Sequence, residues 1–329
     1  MSEQNDRAED AVRIANSATY WPIAPMDLVV AAPIAARLLL GASPLGAAIQ
    51  GAAIAAYLGS AAQDWYVRLG VRKIDFRREF GADVHTMEPM PSDVREAEVQ
   101  LLVERVNDEF TARRIPRREL AVEVDRHLTR YIASITGQRV ETSTEVRDFA
   151  LAQLLFPFAL GACDMLSGDV AIFRDVGVLE PHVIAHEFSH RKGYWRELEA
   201  QALAYLALTS SGEAVLVQSA LCERLHRDVR AQVGDDRAAL RQRLAESRLR
   251  PELRTQLLEL VPETPASSID KQLEVMMRRL YDERMRLTGQ NGLSDYDVGF
   301  TNFLYTFEVS PGTRQSPPAA GALRARRPG

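Results

Sequence analysis

Apolar and polar positions alternate with a helical period over most of the chain. Residues 96–114 and 118–135 carry apolar side chains three and four apart with charges between them, the spacing of one buried helical face. Pro116 and Gly137 punctuate these stretches. The same pattern predicts helices over residues 145–160, 196–209, 218–233, 237–247 and 269–287, and a further helix that Pro181 opens and Gly193 closes. Residues 170–173, set among turn formers, make the best strand. The expected fold class is therefore mainly α, with a short strand element, and no internal repeat is visible.

One stretch breaks the pattern. Residues 38–63 carry no charge, enough length to cross a bilayer, yet Ala and Gly dominate and Pro44 and Gln50 interrupt. Three readings stand: a transmembrane helix or short hairpin, a pair of buried Ala-rich helices, or a membrane-surface element. Arg68, Arg72, Lys73, Arg77 and Arg78 follow at once, and a spanning segment would leave them on the cytoplasmic side. The expected organisation is an apolar helical segment over residues 1–80, open to membrane association, a helical domain over 81–309, and a Pro-, Gly- and Arg-rich disordered tail over 310–329. The corresponding location is the membrane with a cytoplasmic domain, or the cytoplasm.

Composition changes little. The chain has 329 residues, 46% hydrophobic and 26% charged, enough to build a sizeable core. A net charge of -5 argues against nucleic acid as the main partner. Cys163 and Cys222 make no disulfide framework. The polar, mixed-charge start lacks the basic and apolar regions of a secretory signal.

The chemistry lies in HEFSH, His186 to His190. Two histidines four apart share one helix face and can bind one zinc, and Glu187 beside them can take a proton from zinc-bound water. His182 is a further turn back, about 12 Å from His190 along the axis, too far for one ion to join all three, and reads as a supporting or surface residue. His85, His127 and His226 read as surface residues. A catalytic zinc needs a third protein ligand. Arg196 holds the position that a third histidine occupies in HExxHxxGxxH proteins, so a carboxylate is required. Glu197 and Glu199 flank the apolar stripe of the next helix, Leu198, Ala202, Tyr205 and Leu206, on opposite sides, and periodicity does not choose between them.

HEFSHRKGYWRELEAQALAYLA resembles an uncharacterised bacterial family of zinc peptidases, often membrane-anchored, with an HELAH-type motif, a Gly three residues on and a REDEAN-like helix continuing into LAY. LTGQNGLSDYDVGFTNFLYTF is similar to that family's closing segment, although its SYG is replaced here by Ser294, Asp295, Tyr296 and Asp297. The resemblance implies a zincin-like metallopeptidase in which Glu197 is the third ligand, Glu199 the fallback and Gln201, in place of an Asn, a brace for a histidine. It also implies a strand at the edge of a sheet over the metal helix, for which residues 169–173 are the candidate, and Tyr296 as a hydroxyl donor to the oxyanion. The function expected is a zinc hydrolase that cleaves a peptide or protein substrate. The alternative is a membrane-attached zinc-binding scaffold or sensor without turnover.

Overall fold

The structure is a computed structural model that describes residues 10–14, 36–41, 43–149, 159–164, 168–261 and 268–310. It is mainly helical. In chain order the helices are α1 (Pro44–Leu69), α2 (Phe76–Phe80), α3 (Ser92–Asp108), α4 (Arg117–Thr136), α5 (Glu180–Arg191), α6 (Glu197–Thr209), α7 (Ala214–Val233), α8 (Arg237–Glu246), α9 (Pro251–Glu259), α10 (Ser268–Leu287) and α11 (Val298–Val309). The strands are β1 (Asp10–Arg13), β2 (Gln138–Glu141), β3 (Arg147–Asp148), β4 (Gly161–Cys163) and β5 (Val170–Ile172).

At the centre lies α6, and nearly all of its side chains are buried, so it is apolar on every face but for Glu197, Gln201 and the exposed side of its first turn. It packs against α4, α5, α7 and α11. The core joins Val124 and Leu128 of α4, Ile184 and Phe188 of α5, Leu203 of α6, Leu225 of α7 and Phe300 of α11. Ile74, Phe76 and Phe80 enter the same core, so residues before position 81 help to build it.

Two expectations are corrected. The predicted helix over 145–160 is extended at its start: Arg147–Asp148 pairs in parallel with Ala171–Ile172, and the residues from 150 to 158 lie outside those described. The strand at 170–172 is present, but it is the middle strand of the order β3-β5-β4, hydrogen-bonded on both sides, and not an edge. Among the described strands the edge toward α5 is β4, antiparallel to β5 with Ala162 opposite Ala171. Gly161 permits that approach: a Cβ there would meet Ala171 O at 2.9 Å and Val183 Cγ1 at 3.2 Å.

Pro44 starts α1 instead of breaking it, with the Ser43 hydroxyl accepting from the Gly46 N–H at 3.1 Å. Among the described residues no helix is long and apolar enough to cross a membrane. Two of the following basic residues have structural work. Arg68 stacks on Trp195, and Lys73 donates to Gly193 O at 2.6 Å. The Pro-rich tail beyond residue 310 lies outside the described residues.

Candidate metal centre

The HEFSH segment occupies the second half of α5, which is buried on all sides. Its C-terminal end is fixed by two fully buried cations that directly follow His190. Arg191 donates to the carbonyls of Gly168, Ser143 and Glu145 at 2.6, 2.6 and 2.9 Å, and Lys192 to Val140 O at 2.8 Å while paired with Asp125 at 2.7 Å. Cations at a helix C-terminus also meet its unpaired carbonyls favourably. Gly193 then adopts φ +94°, a left-handed conformation that suits glycine, and its N–H returns to His190 O at 2.8 Å. This tight turn brings the start of α6 back beneath α5.

The turn places Glu197 against both histidines. Glu197 Oε2 lies 3.2 Å from His186 Nε2 and 3.1 Å from His190 Nε2, and the two imidazole nitrogens are 3.1 Å apart. Ligands about 2.0–2.1 Å from a tetrahedral zinc stand roughly 3.3 Å from one another. The three atoms therefore form nearly the triangle that one face of such a site requires. His190 Nδ1 faces Tyr194 O at 2.8 Å, so it carries the proton and leaves the Nε2 lone pair for a metal. His186, Glu187 and His190 each offer a donor atom within 4.8 Å of the others. The residues fit zinc in donor type, spacing and tautomer.

Glu199 goes elsewhere: its carboxylate meets Arg196 at 3.3 Å on the partly open side of α6. The choice that periodicity left open is thus made by the turn at Gly193. Gln201 meets a histidine, His182, and its amide donates to Glu223 Oε1 at 2.6 Å. Burial raises the Glu187 carboxyl above its ordinary range even though the imidazoles nearby and the Cys163 backbone N–H, which it accepts from, pull it down. Burial opposes the charged form of His190, yet the Glu197 carboxylate outweighs it and raises His190 to about 9. Burial likewise disfavours the charged Glu197, but the two imidazoles hold it well below the usual carboxylate range.

Tyr296 sits where the closing segment was expected to contribute. Its ring centroid is 5.9 Å from that of His186, and its hydroxyl is 3.4 Å from that of Tyr281. Gln290, in the same segment, caps α6 by accepting the Glu197 backbone N–H at 2.8 Å. The two sequence blocks that carried the resemblance therefore meet at Glu197.

Several contributors were not foreseen. Tyr281 on α10 donates to Glu197 Oε1 at 2.5 Å. Trp195 stacks on the His190 ring at 6.2 Å with an interplanar angle of 7°. His182 is not on the surface. It is sealed at 1% exposure, lines the cavity beside α5, and is lowered to about 4 by burial. His127 and His226, expected at the surface, are both buried, while His85 is exposed. Among these, only Tyr281 had a readable signal, an aromatic on the face of a strongly amphipathic helix.

Around these groups lies a cavity of about 310 Å³, bounded by β4 on one side and by α7, α10 and the segment from Leu293 to Asp297 on the other. A buried pair of histidines and a glutamate, with a second glutamate beside them and an open cavity in front, defines a candidate metal centre in a mainly helical protein. Residues 176–305 match the family described as "Protein of unknown function (DUF3810)", a span that holds all five predicted site residues, His186, Glu187, His190, Glu197 and Tyr296. No curated protein and no solved structure matches the chain.

Proposed function

We propose that the protein is a zinc-dependent hydrolase of the zincin type that cleaves peptide bonds. The observation that carries this reading is the convergence of His186, His190 and Glu197 on one point, with Glu187 on the same helix and the cavity in front. Zinc held by these three residues would polarise a substrate carbonyl and lower the pKa of water in the site. Glu187, raised by burial, is suited to accept a proton from that water and to pass it to the departing amine. The Cys163 N–H fixes the orientation of its carboxylate. Tyr296 offers a hydroxyl donor where negative charge develops on the attacked carbonyl, while Tyr281 beside it is held by Glu197. An extended peptide could lie along β4, whose residues 161–163 border the cavity as the sheet's edge strand among those described.

A non-catalytic zinc scaffold accounts for less. A structural zinc takes four protein ligands and has no use for a buried glutamate beside it or for an open cavity.

Metal analysis of wild type, His186→Ala and Glu187→Gln tests the reading. The expected result is about one zinc per chain in wild type, none firmly held by His186→Ala, and zinc retained in Glu187→Gln with loss of hydrolysis of a mixed peptide substrate. Wild-type protein that fails to hold zinc when purified without chelators would sink it.

A further inference from the structure

Glu197 is the first residue of α6. A glutamate has several rotatable bonds, and fixing it in one orientation costs side-chain entropy. Here one stretch of chain holds it at both ends. Its backbone N–H donates to Gln290 Oε1 at 2.8 Å, and its carboxylate Oε1 accepts the Tyr281 hydroxyl at 2.5 Å. Tyr281 lies on α10 and Gln290 in the loop that follows. α10 is itself seated at this end. Met285, one turn beyond Tyr281 on the same face, is 2% exposed, and Asp282 accepts the Leu293 N–H at 2.7 Å.

The two oxygens of Glu197 are put to different uses. Oε2 faces the ring nitrogens of His186 and His190 at 3.2 and 3.1 Å, while Oε1 is turned to Tyr281. A carboxylate can give a metal one oxygen or both. With Oε1 engaged by a phenol it offers one, so three protein atoms face the metal position and a fourth place stays open for water, as a catalytic zinc requires. The same hydrogen bond fixes the plane of the carboxylate, which is how groups behind a ligand tune a metal site. Tyr296 also approaches Glu197, but the short bond to the carboxylate is that of Tyr281.

Resting on the zinc hydrolase reading above, we infer that Tyr281 is a positioning residue for the metal centre. It holds Glu197 to a single donor oxygen, and so sets how tightly zinc is held and keeps the place for water open. It acts through Glu197 and touches neither imidazole in the role assigned to it.

The test is a double-mutant cycle of Tyr281→Phe and Glu197→Ala, read as zinc affinity of the full chain in competition with a chromophoric chelator. Phenylalanine keeps the ring and its packing and removes only the hydroxyl. Tyr281→Phe alone should weaken zinc about tenfold or more. In the Glu197→Ala background the same change should move the affinity less than about twofold, because no carboxylate is left to hold. On a peptide that wild type cleaves, zinc-saturated Tyr281→Phe should lose about tenfold in kcat with KM within about twofold. Wild-type zinc affinity in Tyr281→Phe, or an equal loss in both backgrounds, would overturn the inference and leave the hydrolase reading standing. If wild type holds zinc but cleaves no peptide, the peptidase reading falls and the zinc cycle alone upholds or overturns the role of Tyr281. If wild type holds no zinc, both fall.

Discussion

Replacing Glu197 by Gln keeps the side chain's size and removes its charge, so it tests the third ligand with little disturbance of packing. The carboxylate is 5% exposed and lies within 3.2 Å of both imidazole nitrogens and 2.5 Å of the Tyr281 hydroxyl. Binding of a structural zinc by four ligands is worth about 10–16 kcal/mol, or roughly 3 kcal/mol per ligand, which is about a hundredfold in Kd. Glu197→Gln should therefore weaken zinc about a hundredfold in a competition titration of metal-free protein against a chromophoric chelator. Glu199→Gln is the control. Its carboxylate pairs with the half-exposed Arg196, and a surface pair of that kind is worth at most about 1 kcal/mol, so zinc affinity should change by less than about fivefold. Far-UV circular dichroism of each metal-free variant confirms that the helices are intact. A Glu197→Gln protein that binds zinc as wild type does, or a Glu199→Gln protein that loses it, would refute the assignment.

Other outcomes follow from the same structure. Burial lowers His226 to about 4 from an ordinary value near 6.5, so between those values the unfolded chain takes up a proton that the native protein refuses, and stability should rise with pH across that window. The contribution is about 3 kcal/mol at full development, and denaturant melts of metal-free His226→Gln should show a flatter curve from pH 4 to 6.5 than wild type; an unchanged slope would contradict the buried neutral imidazole. Gly161→Val places a side chain where Cβ alone would meet Ala171 O at 2.9 Å, and it should lower thermal stability by about 1–3 kcal/mol and slow peptide cleavage by displacing β4 from α5; a wild-type melting curve counts against that packing. Arg224 is 1% exposed and joins Glu98 at 2.9 Å to Glu308 at 2.6 Å, so Arg224→Met, which strands those carboxylates, should cost about 3–5 kcal/mol in chemical denaturation with zinc stoichiometry preserved in the folded fraction.

Much of the centre was readable because it is local. His186, Glu187 and His190 come from one helical segment, and a spacing of four puts the two imidazoles on one face whatever the rest of the chain does. The helical texture was readable for the same reason, since each amphipathic stretch reports its own period. The failures fall where the period stops carrying information. Residues 147–148 lie inside a helix-like pattern, but their backbone hydrogen bonds go to β5, a partner more than twenty positions away. Residues 170–172 are recognisable as a strand, yet whether a strand is central or at an edge depends on neighbours that its own composition does not specify.

Glu197 and Glu199 show the division most clearly. On an amphipathic surface helix the apolar stripe would have ranked them, but α6 is buried on nearly every side and has no single stripe. The left-handed turn at Gly193, clamped by Lys73, sets the angle at which α6 leaves α5, and that angle aims Glu197 at the histidines and Glu199 at Arg196. Nothing in one dimension shows where Arg68, Lys73, Arg191 and Lys192 lie; in three they stack on Trp195, hold the turn or bond buried carbonyls. The sequence by itself determined the helical class, the paired histidines and the adjacent glutamate, because those depend on neighbours within one turn. Only the tertiary structure decided which carboxylate completes the triangle, which strand borders the cavity and which charges are buried, because each of these depends on atoms brought together from distant parts of the chain.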